Sequence, residues 1–409
     1  MQSMKKKLFT WLQVIIAATL LGVVVAHVVE SFPKQEKKAK YIFLFIGDGM
    51  GNSHVATTES YLSYKEGRLG GAKLQMTQFP YYGTATTYSA NKVVTCSSAA
   101  GTAIACGQKT NNGMVGMDAD SVVIYSVATD LKNEGYKVGI ISSVPVNHAT
   151  PASFYAHNIS RNNTYEISQD IVASGFEFFA GSGFLQFNGA NNDQKPTDVV
   201  LEENGYSVCF GGKEYEEAAE TAGKIVLCQP ESNGKNAENY TSEAEDLQEV
   251  SLREMLECGI EFLGDDKPFF FMCEGGDIDW AGHANKTMEM VENVLEFDDA
   301  IKAAYEFYLE HPDETLIIVT ADHETGGLSL GSGGSNVYWD KMEAAWLENG
   351  KKSPENNEAN RILNKECSFG WTTGSHTGAQ VPVFAIGCGG EKFIGRMDNT
   401  DIKNKILCK

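Results

Sequence analysis

Short apolar runs alternate along this chain with longer segments of helical periodicity. Residues 41–46 (YIFLFI), 138–143, 269–272 and 315–320 (TLIIVT) are rich in β-branched and aromatic side chains, which is typical of buried parallel strands. Residues 121–134 have helical spacing, with Asp120 or Ser121 as a cap and Gly135 as a stop, and residues 243–262, 286–309 and 338–347 are predicted as further helices. This alternation predicts an α/β fold, a three-layer sandwich with a central, mostly parallel sheet flanked by helices.

Two stretches fit this pattern poorly. Residues 175–240 are rich in Gly, Asn and Lys, and residues 331–370 contain Ser-Gly repeats around the helix at 338–347. We interpret both as insertions that form small cap or crown elements beside the functional site. They belong to one domain that spans residues 41–409, because neither stretch has the pattern of a separate domain.

The first 40 residues differ from the rest of the chain. Lys5, Lys6 and Lys7 precede an uncharged apolar run over residues 8–26, as in a secretory signal. The run is close to the ~20 residues that span a bilayer, so an uncleaved N-terminal anchor is the alternative to cleavage. Cleavage is favoured because Val24 and Ala26 are small residues of the A-x-A type. We therefore expect an exported protein, periplasmic or secreted, in which residues 27–40 form a polar linker that tethers the domain if the anchor is retained.

Charge and cysteine content narrow the class of protein further. The chain has 54 acidic and 33 basic residues, a net charge of −21, which argues against binding of nucleic acid. Nine cysteines are an odd number, so at least one cannot pair within the chain, and their spacing does not define the pairing. Cys209 with Cys228 is the pair we favour.

Acidic and histidine residues follow the predicted strands. Asp48 comes after the first strand, Glu274 and Asp279 follow the run at 269–272, and Asp322 and His323 follow the run at 315–320. Because the carboxyl ends of such strands meet at one edge of a sheet, residues remote in sequence are expected to gather there. Two or more metal ions would neutralise so many carboxylates.

The histidines add to this pattern. Asp279 and His283 are four residues apart, so on a helix they project from one face and can chelate one ion with zinc-like geometry. Taken alone, such a pair is more often a surface pair, and Asp322-His323 after a strand is often structural. The recurrence favours a metal site, because His376 and His148 also lie beside Gly or Thr at strand ends.

A run of small residues, VTCSSAAGTA at 94–103, leads from an extended segment towards a helix. Small side chains allow an anion to approach the backbone, and the helix N-terminus supplies N–H donors, so a serine here could be a nucleophile. The alternative is a tightly packed small-residue helix. Arg161 could hold two phosphate oxygens, although most arginines are solvated.

Taken together, these segments resemble the active site of the alkaline phosphatases. GDGMG at 47–51, VTCSSAAGTA, NHATP at 147–151, the segment from Glu274 to His283, TADH at 320–323 and GSHTG at 374–378 occur in the order found in that family. The resemblance covers about residues 41–390. It implies that residues 41–409 are a catalytic domain.

The resemblance also implies a set of metal ligands. One Zn²⁺ would be bound by Asp279, His283 and His376, and a second Zn²⁺ by Asp48, Asp322 and His323. A third site, usually Mg²⁺ in this family, would use Asp48, Thr150 and Glu274, with Asp48 shared between sites.

The chemistry that the resemblance implies is hydrolysis of small phosphate monoesters, with broad-specificity phosphate scavenging as the role. Ser97 would attack phosphorus and form a phosphoseryl intermediate, Arg161 would hold the phosphoryl oxygens, and the two zinc ions would activate Ser97 and then water. Family members are often homodimers, so a homodimer is expected here as well.

Three residues around these groups depart from the family pattern. Cys96 replaces an Asp that would orient the arginine, His148 replaces another Asp, and Trp280 stands where some members have Lys. The third site therefore loses a carboxylate from its surroundings, which predicts weaker Mg²⁺ binding and stimulation by added Mg²⁺. The choice of Ser97 over Ser98 depends on aligning Cys96 with the first of these Asp residues.

Three other functions are alternatives to this one. A sulfatase of the same superfamily would need Cys-x-Pro-x-Arg, which is absent after Cys96. A phosphodiesterase usually has Thr as its nucleophile, and Ser at the aligned position favours monoesters. An exported metal- or phosphate-binding protein without catalysis is the alternative from a different class.

Overall fold

The computed structural model describes residues 38–230 and 250–409. The strands are β1 (Tyr41–Gly47), β2 (Tyr81–Thr86), β3 (Lys137–Ser142), β4 (Phe178–Gly181), β5 (Ser207–Phe210), β6 (Ile225–Cys228), β7 (Phe269–Gly275), β8 (Thr315–Thr320), β9 (Glu324–Thr325), β10 (Leu328–Leu330), β11 (Phe369–Trp371), β12 (His376–Thr377), β13 (Val381–Gly387) and β14 (Gly395–Asp398).

The α-helices are α1 (Asn52–Lys65), α2 (Ser97–Cys106), α3 (Val127–Asn133), α4 (Ala149–Ala152), α5 (Thr164–Ser174), α6 (Thr197–Glu203), α7 (Gly212–Ala219), α8 (Leu252–Leu263), α9 (Asp277–His283), α10 (Thr287–Glu310), α11 (Trp339–Glu348), α12 (Asn357–Glu366) and α13 (Asp401–Ile406). Short 3₁₀ turns lie at Met76–Gln78 and Gly390–Phe393.

Ten strands form one sheet in the order β14-β2-β13-β8-β1-β7-β3-β4-β6-β5. Every pairing is parallel except those of β13, which runs antiparallel to both β2 and β8. Two ribbons, β10 with β11 and β9 with β12, lie outside this sheet. The predicted α/β class, with a large and mostly parallel central sheet flanked by helices, is confirmed.

The centre of the sheet explains why the apolar runs are continuous rather than alternating. All residues of β1 and β7 are buried, because helices cover both faces of the sheet. Phe43 and Phe271, paired in register, stack with ring centroids 5.8 Å apart. Burial of each such side chain contributes about 1.5–3 kcal/mol. These rigid central strands are the base on which the site is built.

The helix predicted at 121–134 is shorter in the structure. Ser121 has φ of 64°, and Val123 forms an antiparallel bridge with Met117, so residues before 126 are not helical. Ser126 is the N-cap, and its hydroxyl accepts a hydrogen bond from the backbone N–H of Thr129 at 3.1 Å. The predicted cap at residues 120–121 was therefore wrong.

The helix predicted at 243–262 is described only from residue 250 onwards. α8 begins at Leu252, and a capping box between Ser251 and Glu254 starts it. Six other predicted elements agree with the structure to within two residues at each end, apart from the carboxyl end of β7, which reaches Gly275. They are the strands β1, β3, β7 and β8, predicted at 41–46, 138–143, 269–272 and 315–320, and the helices α10 and α11, predicted at 286–309 and 338–347.

The stretch at 175–240, which we interpreted as a cap, supplies strands to the main sheet instead. β4, β6 and β5 continue the sheet beyond β3, and residues 231–249 lie outside the described part.

The stretch at 331–370 lies outside the ten-stranded sheet. Its Trp339 indole donates to the hydroxyl of Ser60 in α1 at 2.9 Å, and its Asn360 amide donates to the carbonyl of Ala284, just after α9, at 3.0 Å.

Cys209 and Cys228, the favoured disulfide pair, are both free and buried. Cys209 pairs in register with Leu227, and Cys228 pairs with Phe210. Because paired residues of adjacent parallel strands point to the same face, the two thiols point to opposite faces of the sheet. Their side chains therefore cannot meet in a disulfide.

No helix within residues 38–230 and 250–409 is long and apolar enough to span a bilayer. The signal peptide or anchor predicted at residues 1–26, and most of the linker at 27–40, lie outside the described residues.

Candidate active site

Three neighbouring central strands bring the acidic residues together. In register, Ile46 of β1 lies beside Glu274 of β7 on one side and Thr320 of β8 on the other. Asp48 follows β1 directly and Asp322 follows β8 after one residue, so both emerge at the same edge of the sheet as Glu274. The predicted gathering of these carboxylates at the carboxyl ends of the strands is what the geometry shows.

One group of ligand side chains, the outer cluster, consists of Asp279, His283 and His376. Asp279 and His283 project from α9 with one helical turn between them, and a carboxylate oxygen of Asp279 lies 3.3 Å from Nε2 of His283. The Nε2 atoms of His283 and His376 are 3.1 Å apart. These three ligand atoms surround one point and could hold a metal ion.

The other nitrogen of each outer histidine faces a backbone carbonyl. His283 Nδ1 lies 2.8 Å from the carbonyl oxygen of Gly374, and His376 Nδ1 lies 2.9 Å from that of Thr95. Since a carbonyl only accepts, each Nδ1 carries a proton, and Nε2 is the nitrogen directed at the cluster. The hydrogen bond to Asp279 raises the pKa of His283 to about 9, so its Nε2 must give up a proton before it can bind a metal ion.

A second group, the inner cluster, consists of Asp48, Asp322 and His323, and all three are fully buried. His323 Nε2 lies 3.3 Å from Oδ1 of Asp48 and 3.2 Å from Oδ2 of Asp322. The rings of His323 and His376 stack with centroids 3.5 Å apart, so the inner and outer clusters adjoin.

A third cluster shares Asp48 with the inner one. Ligand atoms of Asp48, Glu274 and His148 lie within 4.8 Å of one another. The hydroxyl of Thr150, in α4, donates to Oδ2 of Asp48 at 3.5 Å and therefore lies at the same place. His148 was predicted as a neighbour of this site, and its ring lies beside the two carboxylates.

The two candidate serines differ in what they face. Ser97 is the first residue of α2, and its Oγ lies 3.1 Å from Nε2 of His323 in the inner cluster. The Ser98 hydroxyl instead lies 3.2 Å from the sulfur of Cys96, the N-cap residue. Of the two, Ser97 is the one that contacts a candidate metal ligand.

The donor chemistry of the clusters fits divalent cations. Asp48 Oδ1, Asp322 Oδ2 and Glu274 Oε1 are buried and have no hydrogen-bond partner, which is costly for anionic oxygens unless cations neutralise them. Burial raises the pKa of Glu274 to about 8 and that of Asp322 to about 7, and the neighbouring carboxylates add to both shifts. Burial, with the neighbouring carboxylates adding to it, also raises the pKa of Asp48 well above its usual value. Imidazole and carboxylate donors of this kind are those that Zn²⁺ takes.

Comparison with known proteins identifies the family. The alkaline phosphatase family model matches residues 39–180 and 233–408. The chain belongs to the alkaline phosphatase family. It is 31% identical to alkaline phosphatase 3 of Bacillus subtilis in an alignment 430 positions long that covers 91% of this chain and 90% of that protein.

Solved alkaline phosphatase structures agree with this membership. The enzyme from the Antarctic bacterium TAB5 superposes with a TM-score of 0.73 at 31% identity, over 91% of this chain and 98% of that one. A histidine-to-aspartate mutant of the same enzyme, with Mg bound in its M3 site, has a TM-score of 0.72 at the same identity and coverage. The family model leaves out residues 181–232, the stretch that adds β5 and β6 to the edge of the sheet.

The arginine of this alkaline phosphatase has an unexpected partner. The Arg161 guanidinium lies 3.0 Å from Nε2 of His148. Cys96 points elsewhere, since its sulfur accepts from the backbone N–H of Gly113 at 3.1 Å. Burial, followed by the charge of Arg161, lowers the pKa of His148 to about 3, so the ring is neutral and can accept from the guanidinium. The Trp280 ring stands edge to face against His148 with centroids 6.1 Å apart.

Sequence reasoning missed two hydroxyl residues. The buried Thr325 donates to Oδ1 of Asp279, and its Oγ1 lies 3.2 Å from Nδ1 of His323, so one hydroxyl joins the outer and inner clusters. Ser142 at the end of β3 donates to Oε2 of Glu274. A polar residue at the carboxyl end of a predicted strand was the available signal for Ser142. Nothing in the spacing points to Thr325.

Proposed function

We propose that this alkaline phosphatase hydrolyses small phosphate monoesters through a phosphoseryl intermediate on Ser97. The observation that carries the proposal is the position of Ser97 Oγ at the N-terminus of α2, 3.1 Å from His323 Nε2. The nucleophile thus lies beside the inner cluster, and the outer cluster adjoins through the stacked rings of His323 and His376.

The outer and inner clusters are proposed to hold Zn²⁺, the outer one through Asp279, His283 and His376 and the inner one through Asp48, Asp322 and His323. Bound Zn²⁺ supplies Lewis acidity, which lowers the pKa of a hydroxyl or water and offsets the charge on the reacting oxygens.

The reaction exchanges one P–O bond for another in each of two steps. Ser97 Oγ forms a bond to phosphorus while the bond to the ester oxygen breaks, and the alcohol takes up a proton as it leaves. Water then attacks the phosphoserine, which releases inorganic phosphate and restores the Ser97 hydroxyl. The outer cluster is the open side, since the His283 side chain is 39% exposed whereas His323 is fully buried, so the alcohol departs there.

Arg161 is proposed to bind the phosphoryl oxygens that are not transferred. Its guanidinium matches two such oxygens, and His148, rather than the residue at position 96, holds it. The neutral imidazole is a weaker partner for the guanidinium than a carboxylate, which leaves Arg161 freer to release product.

The third cluster is proposed to bind Mg²⁺ through Asp48, Thr150 and Glu274, with His148 in place of a carboxylate. Mg²⁺ prefers oxygen ligands, so a neutral imidazole here weakens its binding. The TAB5 mutant that has Mg bound in its M3 site replaces a histidine by an aspartate, which supports this assignment by analogy.

The cellular setting remains a prediction from the sequence. Residues 1–26 are predicted to direct export as a signal peptide or to remain as an anchor, which fits broad scavenging of phosphate outside the cytoplasm. A homodimer is expected from the family.

Turnover of a chromogenic phosphate monoester tests the proposal, with the matching diester and sulfate run in parallel on metal-stripped protein that is given back Zn²⁺ and Mg²⁺. We expect zinc-dependent cleavage of the monoester at alkaline pH and a phosphoserine at position 97 that can be trapped at acidic pH. Preference for the diester or the sulfate would assign a different hydrolase activity, and metal binding without turnover would leave a binding protein.

A further inference from the structure

Glu324 is a buried carboxylate that belongs to none of the three clusters. Its side chain is 5% exposed, and it accepts hydrogen bonds from the backbone N–H groups of Gly327 at 2.9 Å and Leu328 at 3.3 Å and from the hydroxyl of Thr377. A buried carboxylate is costly unless such donors satisfy it. Its position beside the site, with these donors directed at it, therefore points to a role in holding them in place.

One of these donors, Thr377, belongs to the small ribbon formed by β9 and β12, whereas Gly327 lies after β9 and Leu328 is the first residue of β10. Glu324 is the first residue of β9 and pairs with Thr377 of β12, while His376 pairs with Thr325. His323 directly precedes β9. The Glu324 carboxylate thus links β9, which follows His323 of the inner cluster, to β12, which contains His376 of the outer cluster.

The opposite side of Glu324 contacts the turn that carries Asp48. A Cβ atom placed on Gly51 would lie 2.3 Å from Cγ of Glu324, so only glycine allows this approach. Nδ1 of the buried His54 accepts a hydrogen bond from the Gly51 N–H at 3.2 Å and lies 3.9 Å from a carboxylate oxygen of Glu324. Burial lowers the pKa of His54 to about 4, so this contact is packing rather than an ion pair.

We propose that Glu324 is a positioning residue that fixes three ligand-bearing segments against one another: the turn after β1 with Asp48, the start of β9 next to His323, and β12 with His376. The inference depends on the proposed function, because it takes the inner and outer clusters to be zinc sites. Hydrogen-bonded partners behind metal ligands typically change metal affinity about 10–100-fold.

The test measures the zinc dissociation constants of full-length protein by competition with a chromophoric chelator, together with the melting temperatures of the metal-free and zinc-saturated forms. We expect Glu324→Gln, which keeps the shape and some acceptors, to weaken zinc binding about tenfold, and Glu324→Ala about a hundredfold. Excess zinc should restore turnover of Glu324→Gln towards that of the wild type.

Glu343→Gln is the matched control. Glu343 accepts from the hydroxyls of Tyr61 at 2.9 Å and Tyr64 at 3.2 Å, between α11 and α1, away from the clusters. Its replacement should lower both melting temperatures by the same amount and leave zinc affinity unchanged.

Zinc affinity of Glu324→Gln equal to that of the wild type, with both melting temperatures lowered as in the control, would overturn the positioning role. If Glu324→Ala does not fold, Glu324→Gln alone decides. Absence of zinc binding by the wild type would instead overturn the proposed function, so the two failures can be told apart.

Discussion

Removing the Thr325 hydroxyl should weaken zinc binding at both proposed zinc sites at once. Its proton goes to Asp279 Oδ1, so its oxygen accepts from Nδ1–H of His323 at 3.2 Å, which directs Nε2 of that ring to the inner cluster. The residue is fully buried, so water cannot replace the lost partner. Thr325→Val keeps the shape of the side chain and removes both hydrogen bonds.

The expected loss of zinc affinity follows from the two hydrogen bonds of the Thr325 hydroxyl. A hydrogen bond to a charged group contributes about 1.5–3 kcal/mol, and one between neutral groups about 0.5–1.5 kcal/mol. Partners behind metal ligands typically change affinity about 10–100-fold, which corresponds to about 1.4–2.8 kcal/mol. We therefore expect zinc affinity to fall by about 10–100-fold, with the remainder of the loss appearing as lower stability of the metal-free protein.

Chelator competition on metal-stripped protein measures this change, and Thr325→Ser, which keeps the hydroxyl, is the control. The serine variant should bind zinc nearly as the wild type does. If the valine variant binds zinc as tightly as the serine variant, then the hydroxyl does not orient His323 and the reasoning from the hydrogen-bond network is refuted.

Three further predictions follow from the site. Ser97→Ala should lose the trapped phosphoenzyme and nearly all turnover while it retains zinc. Ser98→Ala should keep the phosphoenzyme and the turnover; the opposite result would mean that Ser98 is the nucleophile. His148→Asp should bind Mg²⁺ more tightly by calorimetry and lose its stimulation by added Mg²⁺, because a carboxylate replaces a neutral ring; unchanged Mg²⁺ affinity would argue against this third site. The raised pKa values of Glu274, about 8, and Asp322, about 7, mean that the folded metal-free protein binds more protons than the unfolded chain between about pH 6.5 and pH 8, above the range in which the lowered pKa values of His54, about 4, and His148, about 3, act in the opposite sense. Its melting temperature should therefore fall as pH rises through this window, and zinc should reverse the fall; a metal-free melting temperature that rises with pH would contradict these shifts.

The central part of the fold was predictable from the sequence because burial on both faces leaves a local signature. Strands β1, β7 and β8 are uninterrupted apolar runs, and the polar residues that follow them mark where each strand ends. The edge of the sheet was not predictable in this way. β4, β5 and β6 have four residues each, and runs that short in a Gly- and Asn-rich stretch resemble loops.

The candidate site was likewise predictable from the sequence only in part. Asp48, Asp279 and Asp322 could be chosen because each follows a strand or shares a helical face with a histidine, and the order of the motifs pointed to the family. The start of α3 differs from the prediction because the consecutive apolar residues at 122–124 fit helical spacing, although Val123 forms a bridge with Met117. The contact between His148 and Arg161 depends on where two loops meet, and their spacing does not encode it.

The sequence by itself determined the fold class and the family and indicated the residues of the proposed metal sites, since these depend on residue types, on the order of the motifs and on short-range periodicity. Only the tertiary structure decided which serine faces the inner cluster, which nitrogen of each histidine faces a cluster, and that Thr325 and Glu324 stand behind the candidate ligands. The physical reason is that hydrogen bonds and proton positions change when the distance between two atoms changes by a few tenths of an ångström. Here the bonded atoms belong to segments up to about 280 residues apart, such as Thr95 and His376. Those distances are set by the packing of the sheet, its ribbons and the surrounding helices.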